Sequence, residues 1–313
     1  MQVYAVKHKD ENIRANSRSG GIFTALSDSV LENNGVVYGC ILDENFNAKH
    51  IRAITKEERD LMRGSKYIQS SLGSILKDLK KDVLEGKLVL FSGTSCHIDV
   101  IRNFLGKEYD NLLLIDIVCH GVPSKKVWHK YLDWQAKESK VTDVNFRNKT
   151  DFGWAAHVET ITTEDENIDS EVFKNLFYGH NVLRQSCYEC PYKSIEHPGD
   201  ATIADYWGID KAAPGFNDNK GVSLVLVNTD KGAECFEKVK GVVEWKKTRI
   251  EDSMQPPLKA PFPRPKTREQ FWYDLENKDF DYIAKRYGTV KKSSIIRRAA
   301  RKAKRILKKL LSK

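Results

Sequence analysis

Residues 70–93 read SSLGSILKDLKKDVLEGKLVLFSG, and this stretch decides the fold. Its opening serines can cap a helix, and glycine closes the helical part at residue 86. The run KLVLFSG (87–93) that follows is short and apolar, and it breaks into a polar loop. The same unit recurs on both sides. VVYGCIL (36–42) is a β-branched run, and LLLIDIV (112–118) breaks into Cys119-His120-Gly121. Buried apolar strands separated by capped helices predict an α/β fold with a mostly parallel sheet and flanking helices.

Beyond Val141 the pattern changes. TDVNFRNKTDFGWAAHVETITT (142–163) reads as a pair of strands around a turn. A helical patch, EVFKNLFYGH (171–180), precedes a loop holding CYEC (187–190). Strand-like ATIADYW (201–207) and SLVLVN (223–228) complete a mixed β/α C-terminal half. Five of the nine prolines fall at 256, 257, 261, 263 and 265, which predicts an extended arm lying on the body. The expected parts are an α/β part over 1–140, a second part over 141–290, and a tail over 291–313.

The 313 residues are 40% hydrophobic, enough for a large core. No apolar run approaches the ~20 residues that cross a bilayer, and the N-terminus has no signal-peptide pattern. A cytoplasmic location is expected. The net charge is +9, but the segment 291–313 holds eleven Lys and Arg and no acid. Taking those eleven away leaves the body at −2, so it is not a nucleic-acid platform. In the tail, Ile296, Ala299, Ala303, Ile306, Leu307 and Leu310 fall at helical steps and form one apolar face. That pattern predicts a helix on an anionic membrane surface, at the inner face.

Six cysteines are present, and nothing indicates export, so reduced thiols or metal ligands are expected. Cys187-x-x-Cys190-Pro191 has the local form of an iron–sulfur or zinc knuckle. Two thiolates are half a tetrahedral site. Cys96 and Cys119, each following a strand, bring the count to four, which completes a [4Fe–4S] or an all-cysteine zinc site. Cys40 and Cys235 read as packing residues.

Several runs carry a family resemblance: SRSGGIFTALSDSVL (17–31), LMRGSKYIQSSLG (61–73), VLFSGTSCHIDVIRNFL (89–105), IDIVCHGVPSKKVW (115–128), FRNKTDFGW (146–154) and RQSCYECPYK…GDATIADYWGI (184–209). In this order the chain resembles the beta subunit of coenzyme F420-reducing hydrogenase and its relatives. The resemblance implies a flavoprotein oxidoreductase that binds FAD beside an iron–sulfur cluster. It implies a ferredoxin-like electron donor or acceptor protein as partner, and a small-molecule or glycan-precursor substrate, in the setting of cell-surface polysaccharide biosynthesis. Relatives often begin with a ferredoxin-like domain, and this sequence starts where that domain would end. The family's GTPCQ loop is GTSCH here, with Ser95 and His97 replacing proline and glutamine. The GDFWG element becomes Ala204-Asp205-Tyr206-Trp207-Gly208.

The flavin contacts implied at motif level are Ser19, Gly20, Gly21, Ser65, Lys66, Tyr67, Gln69, Ser70, Gly93 and Thr94. Ser19-Gly20-Gly21 precedes a helical pattern, whose free N–H groups suit a pyrophosphate; a serine cap with a tight glycine turn fits the local sequence as well. Lys66 can neutralise a phosphate and Tyr67 can stack. His97, His120 and Asp205 are the titratable groups nearest the motif loops, and none is assigned a catalytic role. The competing function is a zinc-stabilised, non-catalytic scaffold of a membrane-associated assembly.

Overall fold

A computed structural model of the chain describes residues 1–289. The basic tail at 291–313, and with it the membrane-surface helix, lies outside the described residues. The strands are β1 (Gln2–His8), β2 (Val36–Leu42), β3 (Ala48–Ala53), β4 (Val89–Thr94), β5 (Leu112–Ile117), β6 (Val141–Asn145), β7 (Glu159–Thr163), β8 (Asn167–Ser170), β9 (Ala201–Asp205), β10 (Ser223–Val227) and β11 (Val243–Thr248). Eight of them form one sheet in the order β11-β1-β10-β9-β5-β4-β2-β3, and β6-β7-β8 form a second.

The α/β architecture expected from the sequence is the one observed. Its parallel part is the centre, where β2, β4, β5 and β9 pair in parallel. Antiparallel pairs extend it on both sides, β3 at one edge and β10, β1 and β11 at the other. The chain leaves this sheet after β5, builds the small antiparallel sheet, and returns with β9. Strands from both sides of residue 140 therefore share one sheet.

Alternation along the central strands explains their apolar character. Leu113 and Ile115 of β5 pack with the helices Ile22–Leu31 and Asp230–Val239. Leu112 and Leu114 face the helices Ile75–Leu84 and Ser95–Leu105. A strand covered on both faces has no solvent side, so it reads as a continuous apolar run. The small sheet packs around Trp128, Tyr131, Phe146, Phe173 and Phe177, all buried. Each such side chain stabilises the fold by roughly 1.5–3 kcal/mol through burial. Cys40 packs against this aromatic core and Cys235 against the other face of the large sheet. Among the described residues no helix is long and apolar enough to cross a membrane.

Glu159 of β7 sits inside the aromatic core at 1% exposure. One carboxylate oxygen accepts from Phe173 N at 2.9 Å and from the Tyr131 hydroxyl at 3.2 Å, while Oε2 has no partner. Burial pushes the carboxyl up to about 7. The folded state thus favours the protonated form. Its contribution is full below the ordinary carboxylate range and is lost as pH rises through about 7. Glu159→Gln should therefore raise the melting temperature by a few degrees at pH 8 and change it little at pH 4.5. Thermal unfolding at the two pH values checks this; an equal shift at both would contradict it.

Candidate functional site

The register of the central strands sets the site. Gly93 pairs with Asp116 and Thr94 with Ile117, so β4 and β5 end level with each other. Cys96 and Cys119 each lie two residues beyond these ends. The expected loop after β4 is absent: the helix Ser95–Leu105 starts directly, and Cys96 stands exposed in its first turn, 3.1 Å from Thr94 Oγ1. In open α/β sheets this carboxyl edge is where ligands bind.

The CYEC segment reaches this edge through backbone pairing. Residues after β5 bond to residues before the loop: Ser124 N to Val182 O at 2.9 Å, and Arg184 N to Val122 O at 2.9 Å. A short turn, Gln185–Glu189, then carries Cys187, and Lys193 donates to the carbonyl of Cys119. Cys119 feels the charges of Cys187 and Cys96, and Cys187 that of Cys190. The four cysteines expected from the sequence are thus brought to one edge. Burial pushes the Cys119 thiol up to about 12, with Lys193 opposing, and also raises Cys187. Even so, among the described residues no three His, Cys, Asp or Glu gather tightly enough to hold one metal ion.

The residues implied as flavin contacts separate into four groups. Ser19 and Gly20 are tied to β10: the Ser19 hydroxyl donates to Val222 O at 2.7 Å, and Gly20 N donates to Ser223 Oγ at 2.9 Å. A Cβ at Gly20 would lie 2.1 Å from Val6 O, so only glycine fits there. Gly21, at φ +93°, caps the buried helix Ile22–Leu31. Ser70, Gly93 and Thr94 lie along a second line: Ser70 Oγ meets His50 at 2.7 Å, and Gly93 is packed on Phe91 and His97. Ser65 and Lys66 line a cavity of about 230 Å³. Tyr67 reaches its edge, its hydroxyl 3.4 Å from Arg147. Gln69 lines a different cavity.

The 230 Å³ cavity is cationic. Arg18, Arg63, Arg147 and Lys149 line it beside Lys66, with Asp143 as the one acid among its lining residues. Asp205, at the end of β9, holds two of these cations. Its Oδ2 accepts from Arg147 at 2.8 Å and lies 3.5 Å from Arg18, and its Oδ1 accepts from Trp154 Nε1 at 2.7 Å. That single carboxylate leaves N–H groups over. Arg18 Nε and Nη1, Arg63 Nε and Arg147 Nε are buried without a hydrogen-bond partner. Stripped of water, Lys66 and Lys149 are each pushed down to about 8; Arg18 and Arg14 push Lys149 further in the same direction. Unpaired buried donors are costly, and a cavity lined by five cations and one acid has the charge that suits an anion.

The four basic residues other than Lys66 do not stand out in the sequence. Arg18 and Arg147 lie inside the quoted runs SRSGG and FRNKTDFGW, and a basic residue beside each motif is the available signal. Of the three titratable groups near the loops, His97 and His120 are pushed down by burial to about 4 and about 3. Asp205 orients arginines.

Rings lead from this cavity toward the cysteines. Tyr67 lies 5.1 Å from His157, whose Nδ1 is 3.2 Å from the Tyr178 hydroxyl. Tyr178 lies 5.0 Å from His120, the neighbour of Cys119. Phe262, on the proline-rich segment, covers His120 at 4.1 Å. Trp154 and Trp207 stack at 5.0 Å beside Arg147.

Fold and site together define an α/β protein with a cationic cavity and a set of four cysteines. Comparison with known proteins gives the family. The family model for the C terminus of the coenzyme F420 hydrogenase/dehydrogenase beta subunit matches residues 86–251, and the model for the N-terminal part of the same beta subunit matches residues 3–77. The chain belongs to the coenzyme F420 hydrogenase/dehydrogenase beta-subunit family. Among solved structures, a chain of the F420-reducing [NiFe] hydrogenase complex from Methanosarcina barkeri is similar, at TM-score 0.55 and 19% identity. The match covers 91% of this chain and 92% of that one, and shows a shared fold. No curated protein matches the chain.

Asp205→Asn would leave two buried guanidinium groups without a counter-charge. Breaking such a pair costs about 3–5 kcal/mol. Denaturant unfolding of the ligand-free variant should show a loss of that order; a loss under about 1 kcal/mol would mean that the arginines do not depend on Asp205.

Proposed function

We propose that the chain is an FAD- and iron–sulfur-dependent oxidoreductase subunit, with electrons passing between the cysteine set and a flavin. Family membership supports a redox role. The reading rests on one observation: an orphaned arginine cavity and four converging cysteines are joined by the run Tyr67, His157, Tyr178 and His120.

The cavity fits the phosphates of FAD. Arg18, Arg63 and Arg147 offer unpartnered N–H groups, and guanidinium forks match phosphate oxygens in pairs. Lys66 and Lys149 add charge, and Ser65 adds a hydroxyl. The pyrophosphate is assigned to these side chains rather than to the Ser19–Gly21 turn, whose first donors are already bonded to β10. Bound FAD would supply two-electron and one-electron chemistry to the site. Tyr67 and the Trp154–Trp207 stack provide ring faces at the cavity edge. His120, held neutral by burial, carries no charge that would oppose electron movement toward Cys119.

Cys96, Cys119, Cys187 and Cys190 would hold a [4Fe–4S] cluster. Zinc on the same four thiolates is the competing occupant, since four cysteines suit either group. In a cubane each thiolate binds its own iron, which suits ligands spread around one edge. Partner subunits, or a ferredoxin-like protein, would exchange electrons at exposed Cys96. A role with a glycan precursor at the inner membrane face, through the tail, is the remaining part of the proposal.

Two measurements test this. Protein purified without oxygen should show flavin and iron–sulfur absorption, release FAD on heating, and lose the iron–sulfur part in Cys187→Ser. A colourless protein with stoichiometric zinc would overturn the reading in favour of a scaffold. Arg18→Gln removes a buried charge that is incompletely paired. The ligand-free variant should melt no lower than wild type, yet hold FAD at least tenfold more weakly. Unchanged FAD affinity by fluorescence titration would exclude this cavity as the phosphate site.

A further inference from the structure

A second cavity, of about 590 Å³, adjoins the cysteine edge and is not used by the function proposed above. Lys125, Lys126, Arg184 and Arg268 line it, together with Gln69 and Trp272, and no Asp or Glu does. Two of the four cations are already engaged. Lys126 pairs with Glu276, and Arg268 donates to the Tyr188 hydroxyl at 3.0 Å and to Leu183 O at 3.1 Å. The side chains of Lys125 and Arg184 make no hydrogen bond or ion pair among the described residues.

Local structure adds to this charge. The twelve-residue helix Lys125–Ala136 begins at the cavity, and its N-cap Ser124 makes no side-chain cap bond. Backbone N–H groups of the first turn are therefore available at the positive end of the helix. Trp272 supplies a flat apolar wall, fixed by its indole N–H on Asn181 O at 3.2 Å, with the Arg268 guanidinium 5.4 Å from the ring. The volume is that of a small-molecule site. Arg184, Gln185 and Ser186 run directly into Cys187, so an occupant would lie next to the cysteine set.

We propose that this cavity binds the phosphate end of a phosphorylated small molecule, with Arg184 and Lys125 as its free cations and Trp272 as the wall for the adjoining ring or chain. Small-molecule scale, forked guanidinium donors and a helix start together favour a phosphate ester or diphosphate over an acidic protein surface. The site is separate from the arginine cavity, and the proposal does not depend on what that cavity holds.

Calorimetric titration of the full chain with inorganic pyrophosphate tests it, in excess FAD so that the arginine cavity is filled, and at a fixed ionic strength because phosphate binding is salt-dependent. Wild type should bind saturably. The double variant Arg184→Gln, Lys125→Gln, titrated in the same way, should bind at least tenfold more weakly. Neither Arg184 nor Lys125 is buried, so the double variant should fold, and an unchanged melting temperature checks that. Absence of saturable binding to wild type, or wild-type affinity in the double variant, would overturn the proposal. So would displacement of FAD by pyrophosphate, read by flavin fluorescence, which would assign the pyrophosphate to the arginine cavity. FAD content of the double variant, measured alongside, should equal that of wild type; a parallel loss would show that the two cavities are one site.

Discussion

The carboxylate of Asp205 is the constraint on which the site depends. It closes β9, accepts from Trp154 and Arg147, and lies 3.5 Å from Arg18. Those partners come from the excursion around the small sheet and from the turn ahead of the helix Ile22–Leu31. One acid therefore sets the large sheet, the small sheet and the N-terminal turn against each other. A buried ion pair of this kind contributes little net stability compared with apolar packing, because desolvation offsets much of the attraction. Its effect is positional. Asp205 holds two guanidinium groups by part of their donors, and other donors of the same groups stay buried without a partner.

The cysteine set shows the opposite balance. Asp205 neutralises its neighbours, whereas Cys119 and Cys187 sit where burial opposes ionisation. Lys193 is the cation near both and is fixed on the Cys119 carbonyl, and Arg184 acts on Cys187 as well. Bound iron or zinc would reverse that preference, because a coordinating thiol is deprotonated by the metal itself. Ligand set and metal would therefore stabilise each other, and the loop from Gln185 to Glu196 is where that coupling would act. Its order within the protein rests on backbone pairing before it, on Lys193 within it, and on His197 after it, whose Nδ1 lies 2.9 Å from Asp116.

Much of the fold was legible because the central strands are covered on both faces. VVYGCIL coincides with β2, and KLVLFSG and LLLIDIV overlap β4 and β5. The outer strands were less legible. VEWKKT is the edge strand and carries polar residues, QVYAVKH lies next to it with polar ends, and alternation over six or seven residues competes weakly with helix-like composition around it. The loop expected at GTSCH is a helix start because Thr94 passes directly from strand to cap. The cysteines could be paired by number and chemistry. The arginine cavity could not, because Arg18, Arg63 and Arg147 are scattered over 130 residues and only folding leaves their donors unmatched.

The short segment from Ser65 to Ser70 explains how two cationic cavities can coexist so close to one cysteine set. Ser65 and Lys66 face the arginine cavity, Ile68 is buried in the aromatic core at 4% exposure, and Gln69 lines the larger cavity. Lys66 donates to the carbonyls of Leu61, Arg63 and Gly64, which fixes the turn that starts the segment. At the other end Ser70 is bonded to His50, which stacks on Phe91 of β4. The segment is thus anchored at both ends and through its middle. A segment held in this way would keep the two proposed anionic occupants apart without a wall of its own secondary structure, since basic residues line each cavity. Like charges gathered without occupants repel, so the arrangement costs stability in the empty protein and returns it when ligands are bound.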